Sequence, residues 1–266
     1  MNKVKAKKQF GQHFLVSENV VKKIVDEIKI KEDDIIVEIG PGTGILTQEI
    51  LNRKPQKLYS IEIDQSLYSL LEEKFNNYPN FNLIKEDALK VNIKNLAKGK
   101  KVKIVGNLPY NVASLIIINC AFNLDNIEFC VFMVQKEVAE KLKASPKSKD
   151  YTFLSVFIQT FFDVDYIMSV PARFFSPPPK VTSAVVKLTP NNKYHLTDIK
   201  KYKNFVSYLF GNRRKMLRTK VDEKILERAN IKPTLRAEEL KVEDFVRLFE
   251  VVKDDDRQFV DGNSHT

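Results

Sequence analysis

A glycine-rich turn is the first group of residues in this sequence whose spacing could support chemistry. Glu38-Ile-Gly-Pro-Gly-Thr-Gly44 follows an apolar stretch and precedes a helical pattern. Glycines let such a backbone turn tightly and lie close to a ligand. The spacing is GxGxG, with Ile45 where a dinucleotide-binding GxGxxG turn has its third small residue, and no GK[ST] follows. A Walker-type triphosphate loop is therefore excluded.

Two acidic residues follow the next two predicted strands. Glu62 ends the second strand, where a carboxylate can accept hydrogen bonds from both hydroxyls of a ribose. Asp87 lies just beyond the third strand, where it could accept a bond from the amino group of an adenine. Either acid alone could instead cap the helix that follows it. Because a glycine turn with acids after the second and third strands is typical of S-adenosylmethionine sites, we expect that cofactor here.

The segment Gly106-Asn-Leu-Pro-Tyr110 stands at the end of the fourth predicted strand, where open α/β sheets carry their reacting groups. Pro109 keeps the residue before it extended, so the Leu108 carbonyl and the Asn107 side-chain oxygen can face one pocket. Two fixed acceptors suit one exocyclic amine. Hydrogen bonds to both N–H groups of adenine N6 favour a tetrahedral nitrogen, whose lone pair is no longer delocalised into the ring and can attack a methyl group. Tyr110 offers a ring for base stacking, worth roughly 1–3 kcal/mol. The alternative is a turn that only starts a helix.

A rigid proline segment beside two aromatic rings, Phe174-Phe-Ser-Pro-Pro-Pro-Lys-Val-Thr-Ser183, is the last motif of this kind. We expect Phe175 to provide a second stacking ring opposite Tyr110. A polyproline ligand for another domain, or two rings in the core, is equally consistent with this segment alone.

The charge distribution points to a polyanionic partner. The chain has 44 Lys and Arg against 34 Asp and Glu, a formal charge of +10. Residues 1–17 and 200–220 contain no acid, although each could be a solvated face of a lysine-rich protein. Two separate basic stretches favour nucleic acid.

Hydrophobic patterning predicts the elements that must position these residues. From residue 35, short apolar strands alternate with helical patterns, which indicates a mostly parallel sheet of about seven strands with crossover helices. We therefore expect a Rossmann-like α/β fold of the S-adenosylmethionine-dependent methyltransferase type, with the last two strands at a sheet edge. The predicted strands are 35–39, 58–63, 81–85, 103–106, 128–134, 165–170 and 181–188, and the predicted helices are 45–51, 67–75, 136–142 and 153–161.

The strand pattern stops near residue 190, which divides the chain. We expect residues 1–190 to form the catalytic domain with a basic N-terminal arm, and residues 191–252 to form a small all-helical domain that binds nucleic acid. Phe245 and Phe249 share one apolar face of its last helix. Residues 253–266 are rich in Asp and have little to bury, so we expect a flexible tail.

Composition excludes several classes of protein. Cys120 and Cys130 are too few for a disulfide scaffold, and three scattered histidines give no framework for a metal, so we expect no metal. The longest apolar stretch, residues 112–122, is far shorter than the roughly 20 residues of a membrane span. The N-terminus lacks the apolar core of a secretory signal. We expect a cytoplasmic protein with no membrane partner.

Five motifs together carry a family resemblance. They are Lys8-Gln-Phe-Gly-Gln-His-Phe-Leu15, Glu38-Ile-Gly-Pro-Gly-Thr-Gly-Ile-Leu-Thr47, Gly106-Asn-Leu-Pro-Tyr110, Gln135-Lys-Glu-Val138 and Phe175-Ser-Pro-Pro-Pro-Lys-Val-Thr-Ser-Ala-Val185. This combination resembles the ribosomal RNA adenine N6-dimethyltransferase family, in particular its small-subunit branch. Further similarity at Asn212-Arg-Arg-Lys215 and Leu235-Arg-Ala-Glu-Glu239 extends the resemblance over residues 7–250.

The resemblance implies a reaction and a set of site residues. Small-subunit members transfer methyl groups from S-adenosylmethionine to two adjacent adenosines in the hairpin near the 3′ end of 16S ribosomal RNA, each methylated twice, during ribosome biogenesis. Carried over by position, the cofactor contacts are His13, Leu15, Gly40, Gly42, Glu62, Asp87 and Asn107. The expected catalytic residues are Asn107, Leu108, Pro109, Tyr110 and Phe175, and the expected RNA contacts are Lys5, Lys7, Lys8, Arg213, Arg214, Lys215 and Arg218.

One position departs from the family pattern. His13 stands where Asn is commoner, although histidine can also donate or accept a hydrogen bond. We expect the target adenosine to enter between Tyr110 and Phe175 and to take the methyl group in line while Asn107 and Leu108 hold N6. A base is not needed before attack, because the nitrogen becomes acidic only once methylated, and the sequence around Asn107 offers no lysine or histidine. RNA binding should weaken steeply with salt.

Two alternative functions stay open on the sequence alone. A large-subunit (23S) ribosomal RNA adenine N6-methyltransferase shares the core motifs, although the proline segment and the C-terminal similarity favour the 16S branch. A non-catalytic nucleic-acid-binding factor could share the fold, but the intact glycine turn, acids and Asn-Leu-Pro-Tyr segment favour an enzyme. We expect a monomer that acts on the assembling small ribosomal subunit.

Overall fold

The structure, a computed structural model, describes residue 7, residues 11–211 and residues 213–253. The chain divides into two compact units. The first comprises Met1–Glu140 with Phe162–Pro190, and the second comprises Lys141–Phe161 with Asn191–Thr266. The division after Pro190 falls where the strand pattern stops. Residues 141–161, which the sequence pattern places in the first domain, group with the second unit.

A mostly parallel sheet forms the centre of the first unit. Its strands and those of a separate short pair are β1 (Phe14–Leu15), β2 (Ile35–Ile39), β3 (Lys57–Glu62), β4 (Phe81–Lys85), β5 (Val102–Asn107), β6 (Ile127–Gln135), β7 (Phe162–Val170), β8 (Phe175–Ser176) and β9 (Ser183–Pro190). Seven of them form one sheet in the order β4-β3-β2-β5-β6-β9-β7. The first five strands in this order are parallel, and β9 is antiparallel to both its neighbours. The predicted fold class is confirmed.

The last two strands lie together at one edge of the sheet, as predicted, with β7 outermost. β9 lies one strand inside, because it pairs with β6 on one side and with β7 on the other.

Helices flank this sheet and bury its apolar strands. All five residues of β2 are buried, as is typical of a parallel strand covered on both faces. The sequence pattern predicted no element at α1, whose buried residues recur at helical spacing from Val20 to Ile28. The helices before residue 144 are α1 (Glu18–Ile28), α2 (Ile45–Asn52), α3 (Tyr68–Phe75), α4 (Ile93–Ala97), α5 (Ala113–Cys120) and α6 (Lys136–Lys143), the last of which crosses from the first unit into the second.

The short strands β1 and β8 form a separate antiparallel pair. Phe14 lies opposite Ser176, and Leu15 lies opposite Phe175. The Val16 N–H extends the pairing by donating to the Phe174 carbonyl at 2.9 Å. This pair fastens the N-terminal segment to the proline segment.

The second unit is helical and has an aromatic core. Its helices are α7 (Phe153–Phe161), α8 (Ile199–Gly211), α9 (Glu223–Arg228) and α10 (Val242–Lys253). Tyr202 packs edge-on against Phe161 and Phe249, with ring centroids 6.0 and 5.2 Å away. Phe245 and Phe249, predicted on one face of the last helix, are both buried. Among the described residues, none of the helices has the length and apolar character needed to cross a membrane.

Candidate active site

The glycine turn connects β2 to α2 at the carboxyl end of the sheet. Gly40, Gly42 and Gly44 all have positive φ, at 70°, 57° and 79°, a conformation that glycine adopts without steric cost. A Cβ atom on Gly42 would lie 2.9 Å from the Phe14 ring, and one on Gly44 would lie 2.6 Å from the Phe75 ring. Glycine is therefore required here both for the backbone angle and for the close approach of two rings.

A cleft opens above this turn. It encloses about 750 Å³ of empty space, part of it open to solvent. The N-terminal segment, the glycine turn, the end of β3 and the segment after β5 contribute its walls. The lining residues are Gly11, Gln12, His13, Phe14, Leu15, Ile24, Gly40, Pro41, Gly42, Thr43, Ile45, Leu46, Glu62, Ile63, Asn107, Leu108, Pro109 and Tyr110.

Glu62 places a carboxylate on the wall of this cleft. The residue is 5% exposed, and burial raises its pKa. Its Oε2 accepts from the Gly42 N–H at 3.3 Å, and its Oε1 accepts from the Asp64 N–H at 2.9 Å. A carboxylate has about four acceptor positions, so Glu62 keeps the capacity to accept ribose hydroxyls. The glycine cradle and this acid fit a nucleoside cofactor.

Glu38 lies fully buried beneath the same turn. Its Oε2 accepts from the Thr47 hydroxyl at 2.7 Å and from the Ser60 hydroxyl at 2.6 Å, while Oε1 has no partner among the described residues. Burial raises the pKa of Glu38 to about 7, although the two hydroxyl bonds act in the opposite direction. Glu38 therefore supports the turn from below and does not line the cleft.

The Asn-Leu-Pro-Tyr segment follows β5 at the other side of the cleft. Asn107 donates from Nδ2 to the His13 carbonyl at 2.9 Å, and its side-chain oxygen has no hydrogen-bond partner within the described ranges. The Leu108 N–H donates to the Met133 carbonyl at 3.0 Å, which fixes the peptide between Asn107 and Leu108. The Tyr110 hydroxyl lies 2.6 Å from the Ser183 hydroxyl. Burial raises the pKa of Tyr110.

His13 is brought next to this segment by the fold, although the two are far apart in sequence. Its ring stacks on Tyr110 with centroids 5.4 Å apart. Its Nδ1 lies 2.8 Å from the Pro177 carbonyl, and since a carbonyl only accepts, Nδ1 carries the proton. The local sequence around Asn107 has no histidine, but the fold places His13 beside it.

The structure brings most predicted cofactor and catalytic residues into one cleft, with two exceptions. Asp87 does not line the cleft, and its Oδ1 accepts from the Leu89 N–H at 2.9 Å within a turn; the next helix begins at Ile93 and is capped by Asn92. Phe175 is 3% exposed within the hydrophobic core. Pairing of β8 with β1 places Phe175 opposite Leu15, in the core and away from the cleft lining, so its role as a second stacking ring opposite Tyr110 stays a prediction.

The predicted RNA contacts differ in their surroundings. Arg213 pairs through Nε with Glu238 and donates from its two terminal nitrogens to the Lys149 and Ser148 carbonyls at 2.9 and 3.1 Å, so it connects segments of the second unit. The Lys7 ammonium pairs with Asp64 at 2.6 Å. Lys5 and Lys8 lie outside the described residues, as do residues 254–266 of the predicted tail. Those with exposed side chains are Arg214, Lys215 and Arg218.

Several lining residues were not predicted from the sequence. Gln12 and Phe14 flank His13 in the cleft wall. Nothing in their residue types or spacing identified them as site residues. Ile63 follows Glu62 and is 46% exposed, an apolar side chain on the cleft wall. In the part of the chain that the structure describes, no group of His, Cys, Asp or Glu side chains could hold a metal ion.

The fold and the cleft define a class of protein. A sheet of this order carries at its carboxyl ends a glycine turn, an acid suited to a ribose, and an Asn-Leu-Pro-Tyr turn, all around one cleft. This is the arrangement of an S-adenosylmethionine-dependent methyltransferase.

Comparison with known proteins gives the family. Residues 3–254 match the family described as Ribosomal RNA adenine dimethylase, and the chain belongs to this family. The chain is similar to Ribosomal RNA small subunit methyltransferase A of Sulfurihydrogenibium sp. (strain YO3AOP1), with 67% identity over 258 residues that cover 97% of this chain and 100% of that protein. The protein of the same name from Persephonella marina (strain DSM 14350 / EX-H1) is 61% identical over 251 residues, 94% of each chain.

Two solved structures share the architecture. A dimethyladenosine transferase from Plasmodium falciparum is 27% identical with a TM-score of 0.79, covering 91% of this chain and 98% of that one. The 23S rRNA methyltransferase ErmE is 26% identical with a TM-score of 0.67, covering 90% of this chain and 99% of that one. The protein is thus an rRNA adenine methyltransferase, and S-adenosylmethionine is its methyl donor.

Proposed function

We propose that this protein dimethylates N6 of two adjacent adenosines in the 3′-terminal hairpin of small-subunit (16S) ribosomal RNA. The observation that carries the proposal is that Glu62 and Asn107, one suited to a ribose and the other to an adenine amine, line the same cleft. The small-subunit name of relatives that are 67% and 61% identical supports 16S RNA as the substrate.

The residues of the cleft divide into two groups. His13, Leu15, Gly40, Gly42 and Glu62 form the cofactor half, where the bound cofactor supplies a methyl group activated by its sulfonium. In the other half, the free side-chain oxygen of Asn107 accepts one N–H of the target amine, and the Leu108 carbonyl accepts the second. Tyr110 stacks on the base, and its bond to Ser183 holds the ring in place.

The proton released from N6 needs no dedicated base. The amine becomes acidic only after it has received the methyl group, so its proton can leave to solvent. His13 lies beside Asn107, but its Nδ1 is already bound to the Pro177 carbonyl. We assign His13 the role of positioning the Tyr110 ring.

The first unit is proposed as the catalytic domain and the helical second unit as the RNA-binding domain. Exposed Arg214, Lys215 and Arg218 are the side chains that we assign to RNA phosphates. We further propose that the protein acts as a monomer in the cytoplasm on assembling small subunits. Gel filtration of the purified enzyme tests the oligomeric state.

The deciding experiment is transfer of labelled methyl from S-adenosylmethionine to unmethylated small subunits, followed by nucleoside analysis. We expect dimethyladenosine from the wild-type enzyme. For Asn107→Ala we expect a rate lower by roughly 100-fold or more at saturating cofactor, the scale seen when one preorganised polar contact to a reacting group is removed. Asn107→Asp keeps an acceptor oxygen and should retain more activity than Asn107→Ala.

Two other outcomes favour the alternative functions. Methylation of 23S RNA with none of 16S RNA would favour a large-subunit enzyme, an alternative kept because ErmE shares the fold at 26% identity. Methylation of neither RNA, together with no measurable cofactor binding, would favour a non-catalytic nucleic-acid-binding factor.

A further inference from the structure

Asp64 is a buried acid beside the cleft that the reaction as described does not use. It follows β3, two residues after Glu62, and is 1% exposed. Its Oδ1 accepts from the Lys7 ammonium at 2.6 Å and from the Ser66 N–H and hydroxyl at 3.0 and 2.7 Å, and its Oδ2 accepts from Gln12 Nε2 at 2.8 Å. Burial alone would raise the pKa of Asp64, but these donors outweigh it and lower the pKa to about 2.

Two of these donors belong to the N-terminal segment. We call residues 11–15 the strap, because all five line the cleft. Gln12 lies in the strap, and Lys7 just before it is held to Gln12 by a bond of 2.8 Å from its own N–H to Gln12 Oε1. The carboxylate of Asp64 therefore anchors the start of the strap to the end of β3.

The backbone of Asp64 holds the cofactor acid at the same time. Its N–H donates to Glu62 Oε1 at 2.9 Å, and Glu62 Oε2 accepts from the Gly42 N–H at 3.3 Å. One residue thus connects the strap, the ribose-binding acid and the glycine turn, although its own side chain does not line the cleft.

We propose that Asp64 is a positioning residue that holds the strap, through Gln12 and Lys7, in the place where it forms the wall of the cofactor half of the cleft. Loss of this anchor frees the start of the strap and weakens cofactor binding. The methyl-transfer step is spared once the cofactor is bound, because Asn107 and β8 hold the rest of the strap independently. The inference rests on the proposed assignment of this half of the cleft to S-adenosylmethionine.

Ser66 provides a matched control within the same cluster. It gives Asp64 two hydrogen bonds, but these come from the turn that Asp64 itself caps, Gln65–Leu67. Removing the Ser66 hydroxyl weakens the surroundings of Asp64 without releasing the strap. If Asp64 had a purely structural role, losing the Gln12 donor and losing the Ser66 donor would weaken cofactor binding equally. If Asp64 anchors the strap, only the loss of Gln12 weakens it.

The test compares full-length Gln12→Ala, Asp64→Asn and Ser66→Ala with the wild type. Cofactor Kd is measured by calorimetry, KM and kcat with small subunits, and stability by thermal unfolding. We expect Kd and KM for S-adenosylmethionine to rise roughly tenfold in Gln12→Ala and Asp64→Asn, the scale of one lost hydrogen bond to a charged group, with kcat within about twofold. Ser66→Ala should leave Kd within about twofold.

The double variant separates positioning from direct contact. If Gln12 acts through Asp64, then Gln12→Ala with Asp64→Asn should raise Kd no further than Asp64→Asn alone. Additive effects, an equal rise in Ser66→Ala, or a fall in kcat at unchanged Kd would overturn the proposal. Failure of the proposed function is distinguishable, because a wild-type enzyme that does not bind the cofactor gives no Kd from which variants can differ.

Discussion

At the scale of single residues, three acids in and around the site have pKa values shifted in different directions. Burial raises the pKa of both Glu38 and Glu62, whereas Asp64 has enough donors to keep its pKa at about 2. Glu38 is the more deeply enclosed and accepts only from two hydroxyl groups, whereas Asp64 accepts from the Lys7 ammonium, Gln12 and Ser66. Asp64 is therefore ionised at neutral pH, whereas burial raises the pKa of Glu38 to about 7.

Glu38 gives a pH-dependent prediction for stability. Between its ordinary pKa of 4.5 and its folded value of about 7, the unfolded chain ionises Glu38 while the folded chain keeps the proton. The stability that this group contributes is therefore complete below pH 4.5 and is lost as the pH rises to about 7. Since each unit of difference between the two pKa values corresponds to about 1.4 kcal/mol, the free energy of unfolding falls by roughly 3 kcal/mol over this range and does not fall further above it.

Glu38→Gln cannot ionise and should escape this loss. Its free energy of unfolding relative to wild type should be higher at pH 8 than at pH 5, as measured by urea unfolding at each pH. Glu73→Gln, an exposed acid on α3, serves as the control and should change little at either pH. A Glu38→Gln difference that is the same at both pH values would contradict the assignment.

At the scale of elements, the glycine turn and the strap depend on each other. Gly42 has φ of 57°, and a side chain there would meet the Phe14 ring of the strap. Gly99 has φ of 84°, with no atom within 4 Å of where its Cβ would be. Alanine at either position destabilises the fold by roughly 1 kcal/mol because of the positive φ. Only alanine at position 42 would also contact the Phe14 ring of the strap.

We therefore expect Gly42→Ala and Gly99→Ala to lose similar stability from the backbone and to differ in cofactor binding. Gly42→Ala should raise the Kd for S-adenosylmethionine by roughly tenfold or more, whereas Gly99→Ala should leave it unchanged. Calorimetric titration with thermal unfolding of both variants measures the two effects separately. Equal Kd values in the two variants would show that the strap tolerates the added methyl group.

The elements also show what the sequence could predict and why. Long apolar strands and helices were predictable because their periodicity extends over five or more residues, and the residues at the ends of β2, β3 and β5 followed from the rule for parallel sheets. β1 and β8 have two residues each, too few for any period. Phe175 is buried in the core and Phe174 packs partly exposed against it. The strand that pairs with Phe175 is about 160 residues away in sequence, so no local pattern could indicate this burial.

At the scale of the whole molecule, the surplus of positive charge is not all available to RNA. Arg213 was predicted with its neighbours from an acid-free run, but folding brings Glu238 to it from another part of the chain. The same limit applies to the predicted domain boundary. The sequence pattern of residues 141–161 predicts a helix, but it does not show whether that helix packs in the first unit or the second.

Arg213 and Arg214 offer a matched pair of substitutions in the second unit. Arg214→Ala removes an exposed cation without an ion-pair partner among the described residues, so RNA affinity should fall and the slope of log K against log salt should become shallower by about one. Arg213→Ala should instead lower the unfolding temperature, because it removes three bonds that hold Glu238, Ser148 and Lys149. Filter binding at several salt concentrations measures RNA affinity, and thermal unfolding measures stability. A loss of stability in Arg214→Ala with a loss of RNA affinity in Arg213→Ala would contradict the assignment.

The strap has a consequence for how the enzyme meets its two ligands. It is anchored to Asp64 at its start and to Asn107 at the His13 carbonyl, so one short piece of backbone borders both halves of the cleft. Any shift of the strap caused by one ligand changes the site of the other, and thermodynamic linkage makes that influence reciprocal. The factor by which bound cofactor changes the affinity for RNA must equal the factor by which bound RNA changes the affinity for the cofactor.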